Sequence, residues 1–228
     1  MKKYLITGFV AVAICGTLAL AYTTQRGNAK SSGNTEVASD GQKSAGKRGR
    51  VLVAYFSVPE TEGVDASSGA SRVKVNGKIM GSTRYVASVI SEATGGDLFE
   101  IKTVRTYPGS HKALIDDAKV EHDNDARPEL STHIKNLKDY DVVFVGFPNW
   151  WYDMPMPLYS FFDEYDFSGK TLIPFCTHGG SGFSDAIRTI RRLEKDATIL
   201  DHHSIAREYV SDSKEGILKW LKRIGMSN

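Results

Sequence analysis

Hydroxyl-bearing residues stand at two points of the sequence where a phosphate could bind. Ser57 ends the apolar run VLVAYFS, and Gly81-Ser82-Thr83 opens a stretch of helical period. Hydroxyl and backbone N–H groups at a helix start can hold a phosphate beside the positive end of the helix dipole. The simpler alternative is that Ser82 or Thr83 only caps the helix. The segment matches neither the GxxxxGK[ST] phosphate loop nor the GxGxxG motif.

Two adjacent tryptophans follow another apolar run, in the segment Pro148-Asn149-Trp150-Trp151. Adjacent side chains at the end of a strand point to opposite sides, so they cannot both face the same core. One indole is therefore expected to cover a surface or to stack on a flat ligand. In the alternative, both rings fill the gap beside the helix that follows.

A glycine-rich segment, Thr177-His178-Gly179-Gly180, follows a third apolar run. Its glycines allow the backbone to approach a ligand closely and to present N–H groups to it. His178 either donates to such a ligand or is a loop residue with no role. The serine-hydrolase motif GxSxG fails around Ser181, because Phe183 stands where the last glycine belongs. We expect Ser181 to cap the next helix and Cys176 to be a core residue.

Short apolar runs alternate with segments of helical period from residue 50 onward. Such runs, rich in β-branched and aromatic residues, are typical of strands buried on both faces of a parallel sheet. Five strands are predicted, with the more polar second and fifth at the edges: 50–57, 97–103, 141–147, 170–176 and 197–205. Apolar stripes predict helices within 83–93, 158–165, 187–193 and 217–224, and helical turns are expected within 107–138.

This alternation implies right-handed crossovers and a doubly wound parallel sheet covered on both sides. Ligands of such sheets bind outside the carboxyl ends of the strands. Each of the segments described above follows a predicted strand, so we expect them to meet at one edge. A flat heterocycle with a phosphate tail needs a hydroxyl-rich helix start, an aromatic wall and a glycine-rich loop at one crevice. Flavin mononucleotide (FMN) is such a ligand.

The sequence resembles the flavodoxin family, and more closely its bacterial flavodoxin-like branch with a tryptophan pair after the third strand. The matching strings extend over residues 50 to about 225, and they are VLVAYFS (51–57), GST (81–83), ATGGDLFEIKTVRTYP (93–108), ARPEL (126–130), YDVVFVGFPNWWYDMPMP (140–157) and YDFSGKTLIPFCTHGGSGFS (165–184). The resemblance implies a flavodoxin-like three-layer α/β sandwich with a five-stranded parallel sheet of order 2-1-3-4-5. It also implies noncovalently bound FMN.

The resemblance also implies roles for residues at matching positions. The FMN phosphate would be held by residues of the first-strand loop and the first helix start, which are Ser57, Gly81, Ser82 and Thr83. The ring would be flanked on one side by Pro148, Asn149, Trp150 and Trp151. Its polar edge would be lined by Thr177, His178, Gly179 and Gly180.

Two departures from the family pattern concern the phosphate end. The compact pattern joins the serine and the glycine-containing triplet in one short loop, whereas residues 58–80 intervene here. We interpret this insertion as a flap over the cofactor. The triplet reads Gly-Ser-Thr where Gly-Asn-Thr is usual, and serine still supplies a hydroxyl.

The first part of the chain has the composition of a targeting segment followed by a linker. Lys2 and Lys3 precede the uncharged run 4–22, so residues 1–22 are predicted to be a signal peptide or an N-terminal membrane anchor. Residues 23–49 are predicted to be a flexible polar linker, and residues 50–228 the FMN-binding domain. The domain is expected to be exported, and thus secreted, periplasmic or anchored to the outer face of the cell membrane. Membrane contact would occur only through the N-terminal segment.

Charge and cysteine content exclude several classes of protein. Residues 1–49 hold seven Lys and Arg against two Asp and Glu, whereas residues 50–228 hold 22 against 25. The slightly acidic domain argues against a nucleic-acid surface. Electron-carrier flavodoxins are generally more acidic, so docking to a basic redox partner is less compelling. Two cysteines exclude a disulfide-dense scaffold, and no spacing indicates a metal site.

We therefore expect an exported, FMN-binding redox protein that transfers electrons between a donor and an acceptor. It would act as a carrier or as a reductase of a small acceptor such as a quinone. No catalytic side chain is expected, because the cofactor carries the chemistry. The alternative is an extracytoplasmic binding or scaffold module of flavodoxin fold that has lost FMN, which the insertion and the altered triplet motivate.

Overall fold

The computed structural model describes residues 49–62 and 71–227. The predicted signal or anchor, all of the predicted linker except Gly49, and the middle of the insertion lie outside the described residues. Within the described ranges, no helix is long and apolar enough to cross a bilayer.

A parallel sheet forms the middle layer of the domain. The described residues form strands β1 (Val51–Phe56), β2 (Arg72–Val75), β3 (Lys78–Gly81), β4 (Asp97–Ile101), β5 (Val142–Pro148), β6 (Thr171–His178), β7 (Thr198–Ile199) and β8 (His203–Ala206). The parallel sheet has the order β4-β1-β5-β6, with β7 and β8 both paired to β6. When β7 and β8 are counted as one interrupted strand, this is the predicted order 2-1-3-4-5.

Helices cover both faces of the sheet. They are α1 (Ser82–Thr94), α2 (His111–Asp123), α3 (Met156–Glu164), α4 (Ala186–Leu193) and α5 (Lys214–Arg223), with short 3-10 turns at Leu137–Asp139 and Arg207–Asp212. The core beneath α1 and α5 is separate from the core beneath α2, α3 and α4. The predicted three-layer sandwich is therefore confirmed. The helical turns expected within 107–138 include one regular helix, α2.

The central strands are apolar throughout because they contribute to both cores. Leu52, Ala54 and Phe56 of β1 belong to the core on the α2 side, and the alternating Val53 and Tyr55 belong to the core on the α1 side. Successive side chains of a strand point to opposite faces, so a strand between two helical layers has no polar face. The polar residues expected to bind a ligand consequently lie at strand ends.

The predicted fifth strand is divided at its middle. Thr198 pairs with Thr171 at the start of β6, whereas Ser204 pairs with Cys176 near its end. Between the two pieces, the Asp201 carboxylate accepts the His202 N–H at 2.7 Å, which is local side-chain bonding in place of sheet bonding. A divided edge strand offers a shorter row of unpaired backbone groups to other chains.

The described part of the insertion contains a β-hairpin. Strands β2 and β3 pair in an antiparallel manner, with Arg72 opposite Gly81. Val73 is buried in the core on the α1 side, so the hairpin is packed onto the domain. Strand β3 runs directly into α1, and Gly81 is both its last residue and the N-cap of the helix.

The close approach of β5 and β6 provides a stability test at Gly146. A Cβ added there would collide with the buried ring of Phe175, whereas a Cβ at Gly216, an exposed residue in the first turn of α5, would meet nothing within 4 Å. We expect Gly146→Ala to lower the free energy of unfolding by about 1–3 kcal/mol through overpacking. Gly216→Ala is expected to raise it by roughly 0.5–1 kcal/mol. Urea unfolding followed by circular dichroism measures both, and equal effects would contradict the packing described here.

Candidate functional site

The three segments singled out in the sequence meet at one edge of the sheet. Thr83, in the first turn of α1, and Thr177, near the end of β6, share a hydrogen bond of 2.8 Å between their buried hydroxyls. The N–H of Asn149, which follows β5, donates to the Thr177 carbonyl at 2.8 Å. The helix start, the tryptophan segment and the glycine-rich segment are thus in direct contact at the carboxyl ends of the strands.

An open crevice of about 540 Å³ lies at this edge. Its walls come from α2, from the segments after β5 and β6, and from both tryptophans, and they consist of Leu114, Ile115, Ala118, Asn149, Trp150, Trp151, Tyr152, Gly179, Gly180 and Ser181. A smaller cavity of about 90 Å³ shares part of this lining and extends to Thr177, His178, Glu60 and Ser71. The volume and the mixed aromatic and backbone lining are those of a small-molecule site.

Trp150 packs inward. Its indole makes edge-to-face contacts with Phe56 and Tyr107, both with ring centroids 5.4 Å apart. The ring is only partly buried, and its remaining surface lines both cavities. Trp150 is therefore a fixed wall of the crevice and also part of the core.

Trp151 faces outward, as expected for one member of the pair. Its side chain is 37% exposed, its Nε1 donates to the Ile115 carbonyl at 2.9 Å, and the Lys119 ammonium lies 5.4 Å from the ring centroid. These contacts fasten the indole to α2 across the crevice. The two tryptophans consequently have different surroundings, one in the core and one at the rim.

The backbone at Trp151 and Tyr152 is strained. Both residues have positive φ, +51° and +66°, in a tight turn closed by reciprocal hydrogen bonds between the backbones of Trp150 and Asp153. The left-handed region disfavours residues with a bulky side chain, and such outliers collect at functional sites.

Asp153 anchors this turn through hydrogen bonds of its buried carboxylate. One carboxylate oxygen accepts the hydroxyls of Tyr159 and Thr189, both at 2.9 Å, and the other accepts the Met154 N–H at 2.8 Å. Burial, together with the neighbouring Asp153 charge, raises the pKa of Tyr159 to about 12, so the phenol keeps its proton and donates. The network connects the strained turn to α3 and α4.

The glycine-rich segment presents backbone groups to the crevice. The Gly180 N–H donates to Nδ1 of His178 at 3.0 Å, and the amide of Asn149 donates to the Gly182 carbonyl at 3.0 Å. Burial lowers the pKa of His178, with a smaller opposing effect from the Glu208 charge, so its Nδ1 is an unprotonated acceptor. Gly180 has φ +130°, a conformation that only glycine adopts readily.

Two predictions near this segment have different outcomes. Cys176 is buried, as expected, and burial raises the pKa of its thiol, which opposes a nucleophilic role. The prediction that Ser181 caps a helix is wrong. Helix α4 begins at Ala186, and Ser181 instead lines the crevice. Its carbonyl accepts the Ser184 hydroxyl at 3.0 Å, so a turn precedes the helix.

The helix start is covered, and two of its hydroxyls have no partner. Ser82 is 1% exposed, and its N–H donates to the Ser71 carbonyl of the insertion at 2.9 Å. The hydroxyls of Ser57 and Ser82 are buried without a hydrogen-bond partner, and neither Ser82 nor Thr83 caps α1 by a side-chain bond. A Cβ on Gly81 would collide with the Ser57 hydroxyl, which would have to rotate away, so the two segments approach each other closely here. Ser57 itself lines a neighbouring cavity of about 500 Å³ on the β4 side.

Comparison with protein families identifies the fold. The sequence model of the family described as Flavodoxin matches residues 75–224, which is more than half of the chain. The chain belongs to the flavodoxin family. No curated protein matches it.

Solved structures of similar proteins agree with this membership of the flavodoxin family. A candidate flavoprotein from Bacteroides uniformis is 28% identical with a TM-score of 0.60, covering 77% of this chain and 99% of its own. A candidate flavoprotein from Bacteroides eggerthii is 26% identical with a TM-score of 0.58, covering 77% and 98%. A flavoprotein from Lactobacillus acidophilus, solved in complex with FMN, is 16% identical with a TM-score of 0.53, covering 75% and 99%, and it supports the fold alone.

Several residues of this flavodoxin crevice are missing from the sequence-based set. Helix α2 contributes Leu114, Ile115 and Ala118, and the turn after the tryptophans contributes Tyr152. The spacing of Leu114 and Ala118 by four residues was a signal for one helix face, but nothing in it tells which loops that face meets. Asp153 acts through hydrogen bonds between distant segments, which leave no local pattern.

The turn at Trp151 and Tyr152 allows a test of whether the surrounding structure holds Tyr152 in an unfavourable backbone conformation. Tyr152 is 67% exposed at positive φ, and Tyr209 is 65% exposed in a 3-10 turn without positive φ. Glycine relieves left-handed strain of roughly 1–2 kcal/mol but costs about 0.5–1 kcal/mol in chain entropy. We expect Tyr152→Gly to leave the free energy of unfolding unchanged or up to about 1 kcal/mol higher. Tyr209→Gly should lower it by roughly 0.5–1 kcal/mol, and an equal loss in both variants would disprove the strain.

Proposed function

We propose that this protein is an FMN-binding redox protein that transfers electrons through noncovalently bound flavin. The observation that carries the proposal is the crevice of about 540 Å³ at the carboxyl edge of the sheet, lined by both tryptophans and by Gly179 and Gly180. Family membership supports it, as does the FMN complex of the Lactobacillus acidophilus protein.

The residues present fit the ring of this cofactor. Trp151 and Trp150 offer aromatic surface, Leu114 and Ile115 offer apolar surface, and the Gly179–Gly180 backbone offers polar groups. An isoalloxazine ring is flat and apolar on its faces and polar along one edge, so it needs surfaces of these kinds.

The residues at the helix start fit the phosphate. Buried hydroxyls without partners are costly, because each has lost its hydrogen bonds to water. Ser57 and Ser82 carry two such hydroxyls, beside a helix of 13 residues. A phosphate group would satisfy both hydroxyls and would also lie at the positive end of the helix dipole.

Bound FMN would supply the electron-transfer chemistry, and the chain would bind and tune it. Trp150 and Asp153 hold the walls of the crevice in place, since one packs in the core and the other anchors the turn. The neutral His178 accepts the Gly180 N–H and so orders the polar side of the site without adding charge.

We further propose that the acceptor is a small flat molecule such as a quinone, and that the domain works outside the cytoplasm. The rim of the crevice is apolar and exposed at Trp151, Tyr152 and Ile115, which suits a flat molecule more than a strongly charged protein face. The composition of residues 1–22 supports export, in secreted, periplasmic or membrane-anchored form.

One observation favours a second candidate function, a binding or scaffold module without cofactor. The Ser71 carbonyl already accepts the Ser82 N–H, and Ser82 and Thr83 are buried. In that case the insertion would permanently close the phosphate end. A titration with FMN separates the two functions.

We expect the flavin-free protein to quench the fluorescence of added FMN at micromolar protein, because an indole beside the ring provides a quenching contact. Trp151→Ala is expected to weaken binding by about 1–3 kcal/mol, by analogy with base–aromatic stacking. Trp151→Phe should lose less, since an aromatic face remains. Trp150 is unsuitable for this test, because its removal would also open a cavity in the core.

Leu218→Ala is the matched control for Trp151. Leu218 has nearly the same exposure, 38%, and lies on α5 at the opposite face of the sheet. The control should bind FMN as the unchanged protein does. If the unchanged protein causes no quenching, the scaffold module is the better description. If Trp151→Ala binds normally, the aromatic wall is not at that residue.

The acceptor can be tested by its binding behaviour. We expect the reoxidation rate of the reduced holoprotein to saturate with the concentration of a small quinone, because a flat acceptor would occupy the rim before electron transfer. Tyr152→Ala should raise the half-saturating concentration and leave the limiting rate unchanged. Anaerobic stopped-flow mixing measures both quantities. A rate that stays proportional to quinone concentration would refute an acceptor site and leave a carrier of electrons to another protein.

A further inference from the structure

The hairpin of the insertion lies directly beside the start of α1. Arg72 of β2 is paired with Gly81 of β3, the residue that precedes the helix. The Ser71 carbonyl accepts the Ser82 N–H at 2.9 Å, which joins the two segments by a second contact. The compact pattern of the family has no insertion at this point, so these contacts come from a segment that the compact pattern lacks.

Arg72 lies on the face of the hairpin that meets the Ser57 hydroxyl. Directly paired residues of two antiparallel strands project their side chains to the same face. A Cβ built on the backbone of Gly81 would meet the Ser57 hydroxyl. Arg72 is opposite Gly81 and is only 9% exposed, so its side chain extends along the domain on the Ser57 side of the hairpin.

Within the described part of the chain, the Arg72 guanidinium has no acidic partner. Its Nη1 donates to the backbone carbonyl of Glu60 at 2.7 Å, and its Nε is buried without a hydrogen-bond partner. No carboxylate oxygen of these residues lies within 4.0 Å of it. The Glu60 carboxylate instead contacts Nδ1 of His111 at 2.5 Å, and its second oxygen has no partner. An uncompensated buried charge is strongly destabilising unless an anion joins it.

Unsatisfied polar groups concentrate at this place. Among the described residues, six side chains have a buried polar atom without a partner, and four of the six belong to the loop after β1, the hairpin and the helix start. These four are Ser57, Glu60, Arg72 and Ser82. Three of the four can donate a hydrogen bond, and the N-terminus of α1 adds its positive dipole. A phosphate monoester, with several oxygens and nearly two negative charges, matches this donor set.

We propose that Arg72 binds the phosphate of the cofactor and makes this protein select FMN over riboflavin. This inference rests on the proposed function, since it assigns one end of the same site. Ser57 and Ser82 donate their hydroxyls, and Arg72 supplies the countercharge, which the Gly-Ser-Thr triplet does not contain. The insertion thereby takes part in the site through one residue that the compact pattern lacks.

The test compares FMN, riboflavin and inorganic phosphate on the full, flavin-free protein. We expect the unchanged protein to bind FMN at least tenfold more tightly than riboflavin. Arg72→Met should weaken FMN binding by about 10- to 100-fold, the size of a lost charge-assisted hydrogen bond, and should change riboflavin binding by less than about threefold. Arg72→Lys should retain part of the difference, because a lysine keeps the charge but not the fork of donors.

Lys78→Met is the matched control, since Lys78 is an exposed cation of the same hairpin whose side chain lies on the opposite face from Arg72. It should leave both affinities unchanged. Thermal unfolding of the flavin-free variants measures the structural contribution of Arg72 separately. Arg72→Met also removes the hydrogen bond from Nη1 to the Glu60 carbonyl, so a lower unfolding temperature without ligand is expected, whereas the ratio of FMN to riboflavin affinity falls only if Arg72 binds the phosphate.

Each outcome decides the inference. Equal losses of FMN and riboflavin affinity in Arg72→Met, or no loss of either, would overturn it. If the unchanged protein binds neither flavin, the proposed function fails, and inorganic phosphate then tests Arg72 alone. Phosphate that raises the unfolding temperature above that in chloride of equal ionic strength, with the rise absent in Arg72→Met, would keep Arg72 as an anion ligand. No such rise in the unchanged protein would overturn that role as well.

Discussion

Parallel pairing of β5 with both β1 and β6 is the constraint on which the crevice depends. Because the strands run in the same direction, their carboxyl ends reach one edge of the sheet, where the Thr83–Thr177 hydrogen bond of 2.8 Å ties the helix start to the glycine-rich segment. The same pairing buries the middle of each strand between two helical layers, so polar groups next to the cores are possible only at the ends. An apolar wall and a set of polar donors therefore occur side by side at this edge.

This edge also contains features that lower the free energy of unfolding of the domain. The turn at Trp151 and Tyr152 has positive φ, and the helix start holds hydroxyls without partners. Such features cost roughly 1–3 kcal/mol each, a large share of the 5–15 kcal/mol by which domains are stable. Their location together, beside a crevice, is difficult to explain by packing alone. It is the arrangement expected when a ligand offsets the cost on binding.

The fold was predictable because its signals are local, whereas much of the site was not. Each apolar run of β-branched and aromatic residues defines a buried strand by itself, and the alternation with helical stripes defines the sheet order once the family is recognised. The inward packing of Trp150 against Phe56 and Tyr107, by contrast, depends on residues 94 and 43 positions earlier in the chain. The same holds for α2, which reaches the crevice by tertiary packing. In the insertion, pairing of Arg72 with Gly81 follows from a hairpin register that the polar sequence does not specify.

Local charge explains how a slightly acidic domain can hold an anion. The excess of Asp and Glu over Lys and Arg in residues 50–228 is small, 25 against 22, and most of these side chains lie on the surface. Their repulsion is screened over a distance of about 8 Å at physiological ionic strength. A buried guanidinium is screened far less, because water and ions do not surround it. One arginine at the helix start therefore outweighs the net charge of the surface, and the hairpin is the element that places Arg72 there.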